Sequence, residues 1–193
     1  DFLGWRAGQG YSAKSNARLL SSLRAFYALL KRNGEVAHDP TRLLEMPRLP
    51  RPLPKALSES QVEALLHGVP CETAEQISLR AMLELMYACG LRVSELVEMP
   101  ASAVNLRQGL LRVMGKGSKA RLVPMGEVAQ EWLERYLREV RPQRLGKRAA
   151  TALFLTETGL PFSRQQFWSD LKKRALLVGI DAAKVSPHVL RHS

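Results

Sequence analysis

The sequence predicts a mostly α-helical molecule in two lobes, the second holding one small antiparallel sheet. Apolar residues recur at helical spacing over long stretches, a proline-rich segment at residues 47–55 interrupts them, and two β-type runs flank a glycine-lysine turn. At 193 residues the chain suffices for one domain, or for one domain and part of a second. Apolar side chains make up 46% but aromatic ones only 6%, so the interior is expected to be mainly Leu, Val, Ala and Met on helices.

Residues 1–5 read like the interior of a helical segment, as if the chain began in mid-element. From Ser12 to Lys31, the residues Leu19, Leu20, Leu23, Phe26, Tyr27 and Leu30 form an apolar stripe, with Lys14, Arg18, Arg24 and Lys31 largely off it. The prolines at 47, 50, 52 and 54 exclude a helix, because each lacks a backbone donor and forces its predecessor into extended geometry. At roughly 3.1 Å per residue this linker reaches about 28 Å, more than twice the roughly 12 Å width of a major groove. Two lobes could therefore lie on opposite sides of a duplex, with Arg48, Arg51 and Lys55 near phosphates, although a plain spacer fits the linker equally well.

Ser58 and Gln61 form a capping box ahead of Val62, Leu65 and Leu66, so a helix opens the second lobe. Residues 76–89 are apolar on most faces, as in a helix buried in the middle of a domain, and Gly90 supplies the C-terminal stop. Residues 92–99 predict a short helix closed by Pro100. Residues 109–114 and 119–124 predict two strands, with Lys116 at the hairpin tip between Gly115 and Gly117. Val128, Trp132, Leu133, Tyr136, Leu137 and Val140 restore a helical face, and residues 162–179 give another helix bearing Lys172, Lys173 and Arg174.

Lys and Arg total 29 against 18 acidic residues, a formal charge of +11 that favours a polyanionic partner; composition alone fits ribosomal, membrane-surface and DNA proteins alike. Cys71 and Cys89 are too few for a disulfide framework and read as reduced core thiols, which points to the cytoplasm. No apolar run is long enough for a membrane span and no charged-then-apolar leader opens the chain, so no membrane association is expected.

Three islands carry the chemistry. Ser186 and Pro187 suit the cap and first position of a helix that places His188 and Arg191 on one face, near an N-terminus favourable to phosphate. Arg92 follows the helix-ending Gly90, with Glu95 three residues on as the carboxylate to orient it. Lys116 sits on a turn that can approach a backbone closely, and the spacing around it is not that of a nucleotide-binding loop. Each island alone is equally well a structural histidine, a salt bridge or a basic turn.

Taken together and in this order, Arg92, Lys116 on a hairpin and the Pro187-His188-Val189-Leu190-Arg191-His192 stretch closely resemble the tyrosine site-specific recombinases, the phage-integrase family, and most of all their bacterial Xer branch. The likeness extends over the whole chain. It implies a DNA breaking-rejoining fold: a helical core-binding domain at residues 1–46, N-terminally incomplete, a linker at 47–56, and an α-rich catalytic domain with a small antiparallel sheet at 57–193, C-terminally incomplete.

The resemblance also implies a mechanism using neither metal nor nucleotide cofactor. A tyrosine hydroxyl attacks a scissile phosphate, leaving a 3′-phosphotyrosyl link and a free 5′-hydroxyl that later attacks the partner strand. Arg92 and Arg191 would fork onto the non-bridging oxygens, His188 would assist proton transfer, and Lys116 would protonate the departing 5′-oxygen. The nucleophilic tyrosine is expected beyond Ser193, because Tyr11, Tyr27, Tyr87 and Tyr136 occupy helical positions explained by packing. Residues 1–193 are thus expected to bind DNA without cleaving it.

Lys14, Arg18, Arg24, Arg48, Arg51, Lys119, Arg121, Arg164, Lys172 and Lys173 are expected DNA contacts. The implied partners are double-stranded DNA and, in the full-length protein, a recombinase tetramer with a paralogous recombinase and an activating DNA translocase; the implied role is resolution of chromosome or plasmid multimers at cell division. A phage or mobile-element integrase shares the same constellation, and a non-catalytic DNA-binding protein could use the same arginines. A zinc site is disfavoured: His188 and His192 have the spacing but no glutamate follows His188, and His67, Cys71 and Cys89 form no ligand set.

Overall fold

The computed structural model describes residues 2–47, 49, 57–115 and 119–192, the last two by their backbone alone. Arg48, Arg51 and Lys116 therefore lie outside the described residues. The chain divides into two compact units, Asp1–Leu53 and Pro54–Ser193.

The first unit contains α1 (Phe2–Gly8) and α2 (Ala13–Arg32). Ser12 caps α2 by accepting from the Ser15 N–H at 3.1 Å, satisfying a donor that the first turn would otherwise leave open. Asn16, Ala17 and Leu20 are buried; of the predicted stripe, Leu20 is fully covered, Leu19, Leu23, Tyr27 and Leu30 are partly covered, and Phe26 is exposed. Tyr11 lies in the turn between the helices instead of within a helix. Its ring sits 3.9 Å from the Arg6 guanidinium, whose Nε donates to Asn16 Oδ1 at 3.0 Å.

The second unit is organised around α4 (Ala74–Cys89), against which α3 (Glu59–His67), α5 (Val93–Val97), α6 (Glu127–Arg135), α8 (Arg164–Leu177) and α9 (Pro187–His192) all pack. The predicted capping box operates, Ser58 with Gln61 starting α3, and a second that the sequence reading did not name, Thr73 with Gln76, starts α4. Ile77, Ala81, Met82, Leu83, Leu85 and Met86 of α4 are buried, each larger side chain worth roughly 1.5–3 kcal/mol in transfer from water. At the other end Gly90 adopts φ 56°, ψ 39°, a left-handed conformation that lets the chain reverse into the buried Leu91 and then Arg92.

The sheet has three antiparallel strands in the order β1 (Val104–Asn105), β2 (Leu110–Met114), β3 (Ala120–Pro124). Leu111 and Val113 point into the core, and Val113 pairs with Arg121 across the hairpin. The pattern predicted β2 and β3; β1 spans two residues, too short to show an alternation. The long helix expected through Val140 instead changes to a π-helical turn at Tyr136–Val140 before α7 (Arg141–Leu145). Pro142 supplies the cause, because it has no N–H and its ring would strike the carbonyl four residues back in an unbroken α-helix.

Two long-range ties close the core. The buried Tyr136 hydroxyl donates to Leu153 O at 3.2 Å and accepts from Leu155 N at 2.9 Å. Arg174, read from sequence as part of a basic helix surface, is buried and donates to the carbonyls of Leu65, Leu66 and Val69, fastening α8 to the end of α3. Both cysteines are free thiols, and burial pushes that of Cys89 up to about 11. No helix among the described residues is long and apolar enough to cross a membrane.

Candidate DNA-processing site

Arg92 is the N-terminal cap residue of α5, in extended geometry immediately after Gly90 and Leu91. Its backbone N–H donates to Glu95 Oε2 at 2.8 Å, and its Nη1 donates to Oε1 at 2.9 Å. The Glu95 side chain is 6% exposed while that of Arg92 is 56% exposed, so a sheltered carboxylate holds a cation facing solvent. Glu95 and Arg92 are thus in contact at the three-residue spacing.

A second arginine meets the same carboxylate. Arg121 of β3 places Nη1 at 3.0 Å from Oε1 and Nη2 at 3.1 Å from Oε2, a two-pronged pairing. Burial alone would raise the Glu95 carboxyl, but the hydrogen bonds from Arg121 and from the backbone and side chain of Arg92 outweigh it and hold the group down at about 2. The sequence marked Arg121 as a DNA contact and missed this pairing. Its signal lay in the strand alternation, which places Arg121 and Val123 on one face of β3, both partly covered.

His188 lies in the first turn of α9. Ser186 caps that turn by accepting from the Val189 N–H at 3.2 Å, as predicted, and the buried Val185 and Leu190 seat the segment on the core. His188, Ser186 and Pro187 line an open hollow of about 670 Å³ together with Val93 of α5 and Arg164, Gln165, Trp168, Ser169 and Lys172 of α8. The residue after Arg92 and the histidine thus border one space, large enough for a phosphodiester and its flanking sugars. Arg191 follows His188 by less than a turn on the same helix.

Along α8 the lining residues recur at helical spacing and form a single stripe. Lys172 Nζ is 4.4 Å from the centre of the half-exposed Trp168 ring, an aromatic-cation pair on the wall that the sequence did not single out. Lys173 points elsewhere and pairs with Asp170 at 3.2 Å. Lys119, at the neck of the hairpin, is exposed, as are Lys14 and Arg18 of the first unit. Arg24 is partly buried and spends its guanidinium on the Leu44 carbonyl. Among the described residues no three His, Cys, Asp or Glu side chains gather as a metal-binding group.

Residues 55–193 match the family described as "Phage integrase family", and residues 1–34 match "Phage integrase, N-terminal SAM-like domain". The chain belongs to the phage integrase family. Among its relatives is "Tyrosine recombinase XerD" of Xanthomonas axonopodis pv. citri, 58% identical, aligned over 100% of this chain and 65% of that protein. The protein of the same name from Pseudomonas putida is 53% identical, aligned over 100% of this chain and 64% of its own length. The chain thus spans a little under two thirds of the length of these relatives. In fold it is similar to the XerH site-specific recombinase in a post-cleavage complex with palindromic difH substrate, with a TM-score of 0.79, 18% identity and coverage of 100% of this chain and 57% of that one. It is likewise similar to the Tn1549 transposon integrase in complex with circular intermediate DNA, with a TM-score of 0.75, 18% identity and coverage of 99% and 68%.

Proposed function

We propose that this chain is the DNA-gripping and phosphate-holding part of a tyrosine recombinase that carries out site-specific strand exchange, of the Xer type that resolves chromosome or plasmid multimers in the cytoplasm at cell division. The observation that carries the reading is a hollow bordered by Val93, the neighbour of the exposed, Glu95-bound Arg92, and by His188, Arg164 and Lys172. Identity above half, over the whole of this chain, to proteins named as tyrosine recombinases supports it.

In this reading residues 1–46 grip one face of the duplex, residues 47–56 link, and residues 57–193 hold the scissile phosphate. Arg92 and Arg191 neutralise the charge that grows on the non-bridging oxygens as a tyrosine oxygen forms its bond to phosphorus. His188 assists the proton transfer from that tyrosine, and Lys116 gives a proton to the 5′-oxygen as its bond to phosphorus breaks. The covalent intermediate conserves the phosphoester bond energy, so strand joining needs no further input. The working assembly is a tetramer on two DNA sites, with a paralogous recombinase and a DNA translocase as partners.

The test uses nicked suicide duplexes that trap the covalent intermediate. Residues 1–193 bind such a duplex without forming an adduct, while a full-length chain carrying them does form one. In the full-length chain Arg92→Ala and Arg191→Ala each lower cleavage by at least about a hundredfold and duplex affinity by less than about tenfold. Equal losses of cleavage and affinity would make these arginines plain backbone grips and refute the enzymatic reading.

A further inference from the structure

Arg121 and Arg92 approach Glu95 from different elements, Arg121 from the hairpin strand β3 and Arg92 from the start of α5. One carboxylate thereby joins the hairpin to the segment that presents Arg92. The Arg121 contact uses two parallel hydrogen bonds to both oxygens, a geometry that fixes the rotation of the carboxylate as well as its position. With that rotation set, the bond from Arg92 Nη1 to Oε1 has one direction available to it.

The hairpin neck lies beside the same guanidinium. Gly115 N–H donates to Lys119 O at 2.9 Å, closing the neck. A Cβ at position 115 would stand 3.3 Å from that carbonyl and 3.5 Å from Arg121 Nη1, so the absence of a side chain there lets the neck settle over Arg121. Lys116 follows directly in the sequence.

We infer that Arg121 is a positioning residue: by clamping Glu95 it sets the orientation of Arg92 and ties the hairpin strand β3 to the start of α5. The inference rests on the tyrosine-recombinase reading above. It departs from a role for Arg121 as a direct phosphate contact, because both arms of its guanidinium are already engaged.

The test compares wild type, Lys116→Ala, Arg121→Lys and Gly115→Ala in a full-length chain carrying these residues, on suicide duplexes whose scissile phosphate has a bridging 5′-oxygen or 5′-sulfur. In both, the tyrosine oxygen forms a bond to phosphorus as the bond to the 5′ atom breaks. Oxygen leaves with a proton from Lys116; sulfur leaves as a thiolate without one. Sulfur should therefore restore Lys116→Ala. Arg121→Lys keeps the charge but loses the fork, and should cleave the oxygen duplex at least about tenfold more slowly with affinity within about twofold of wild type. Sulfur should restore it in part at most, since the disturbed contribution is that of Arg92. Gly115→Ala, which removes no charge, should show the same pattern.

A wild-type rate in Arg121→Lys, full restoration by sulfur, or a cleavage loss matched by lost affinity would overturn the inference. A second readout uses residues 1–193 alone and needs no cleavage. The Arg92 Nε–H signal in nitrogen-15 spectra should shift or broaden in Arg121→Lys and in Gly115→Ala, and an unchanged signal overturns the inference. If wild type forms no adduct while this signal responds, the recombinase reading fails and the clamp stands. If Arg121→Lys does not fold, Gly115→Ala decides both arms.

Discussion

At the scale of single residues the structure places charge where geometry can use it. Glu95 is the clearest case: a sheltered carboxylate held down at about 2 by two arginines against an ordinary value of 4.5. A depressed folded-state value means that its stabilising contribution is complete above about pH 4.5 and is lost as pH falls toward 2. Melting temperatures measured from pH 6 downward should therefore fall more steeply in wild type than in Glu95→Gln across that window; parallel curves would contradict the clamp. Tyr136 makes a different argument, since its hydroxyl is buried and serves both as donor to Leu153 and as acceptor from Leu155. Tyr136→Phe keeps the ring and strands the Leu155 N–H, while Leu153 O keeps its bond from Arg141 Nε, and the loss should cost about 1–3 kcal/mol in urea unfolding of the isolated chain.

At the scale of elements, the stops and starts matter more than the helices they bound. Gly90 ends α4 in a left-handed conformation with nothing within 4 Å of where a Cβ would stand. Gly90→Ala should thus lose about 1–2 kcal/mol from backbone strain alone, and should also slow cleavage in a full-length chain because Arg92 begins the next element. These signals were readable in advance: the Ser58 and Ser186 caps, the Gly90 stop and the β2–β3 hairpin follow from short-range chemistry acting within a few residues. What escaped the sequence involves partners distant in the chain. The π-helical turn needed the Pro142 clash to be weighed against a continuous apolar face, the burial of Arg174 depends on carbonyls at the end of α3, and the Arg121 clamp joins a strand to a helix. Arg24 and Arg174 show how a basic residue on a helix can be turned inward by carbonyls that no periodicity reveals.

At the scale of the whole molecule, the charge of +11 is distributed with purpose in the second unit, where Arg164 and Lys172 line the hollow and Lys173 is paired off it. Duplex binding should weaken steeply with salt, and Arg164→Ala or Lys172→Ala should each lower the logarithmic salt slope by about 1, whereas Lys173→Ala should leave it unchanged. Titrations at several salt concentrations check this, and an equal change for all three would remove the hollow from the DNA path. The proposed convergence of Arg92, Lys116, His188 and Arg191 on one phosphate is tested by neutralising that phosphate. A full-length chain carrying these residues should cleave an ordinary duplex far faster as wild type than as Arg92→Ala, but cleave a duplex with an uncharged methylphosphonate at the scissile position at similar rates in the two proteins. If Arg92→Ala stays equally impaired on the uncharged linkage, Arg92 does not act on the charge of that phosphate and the site is not the one described.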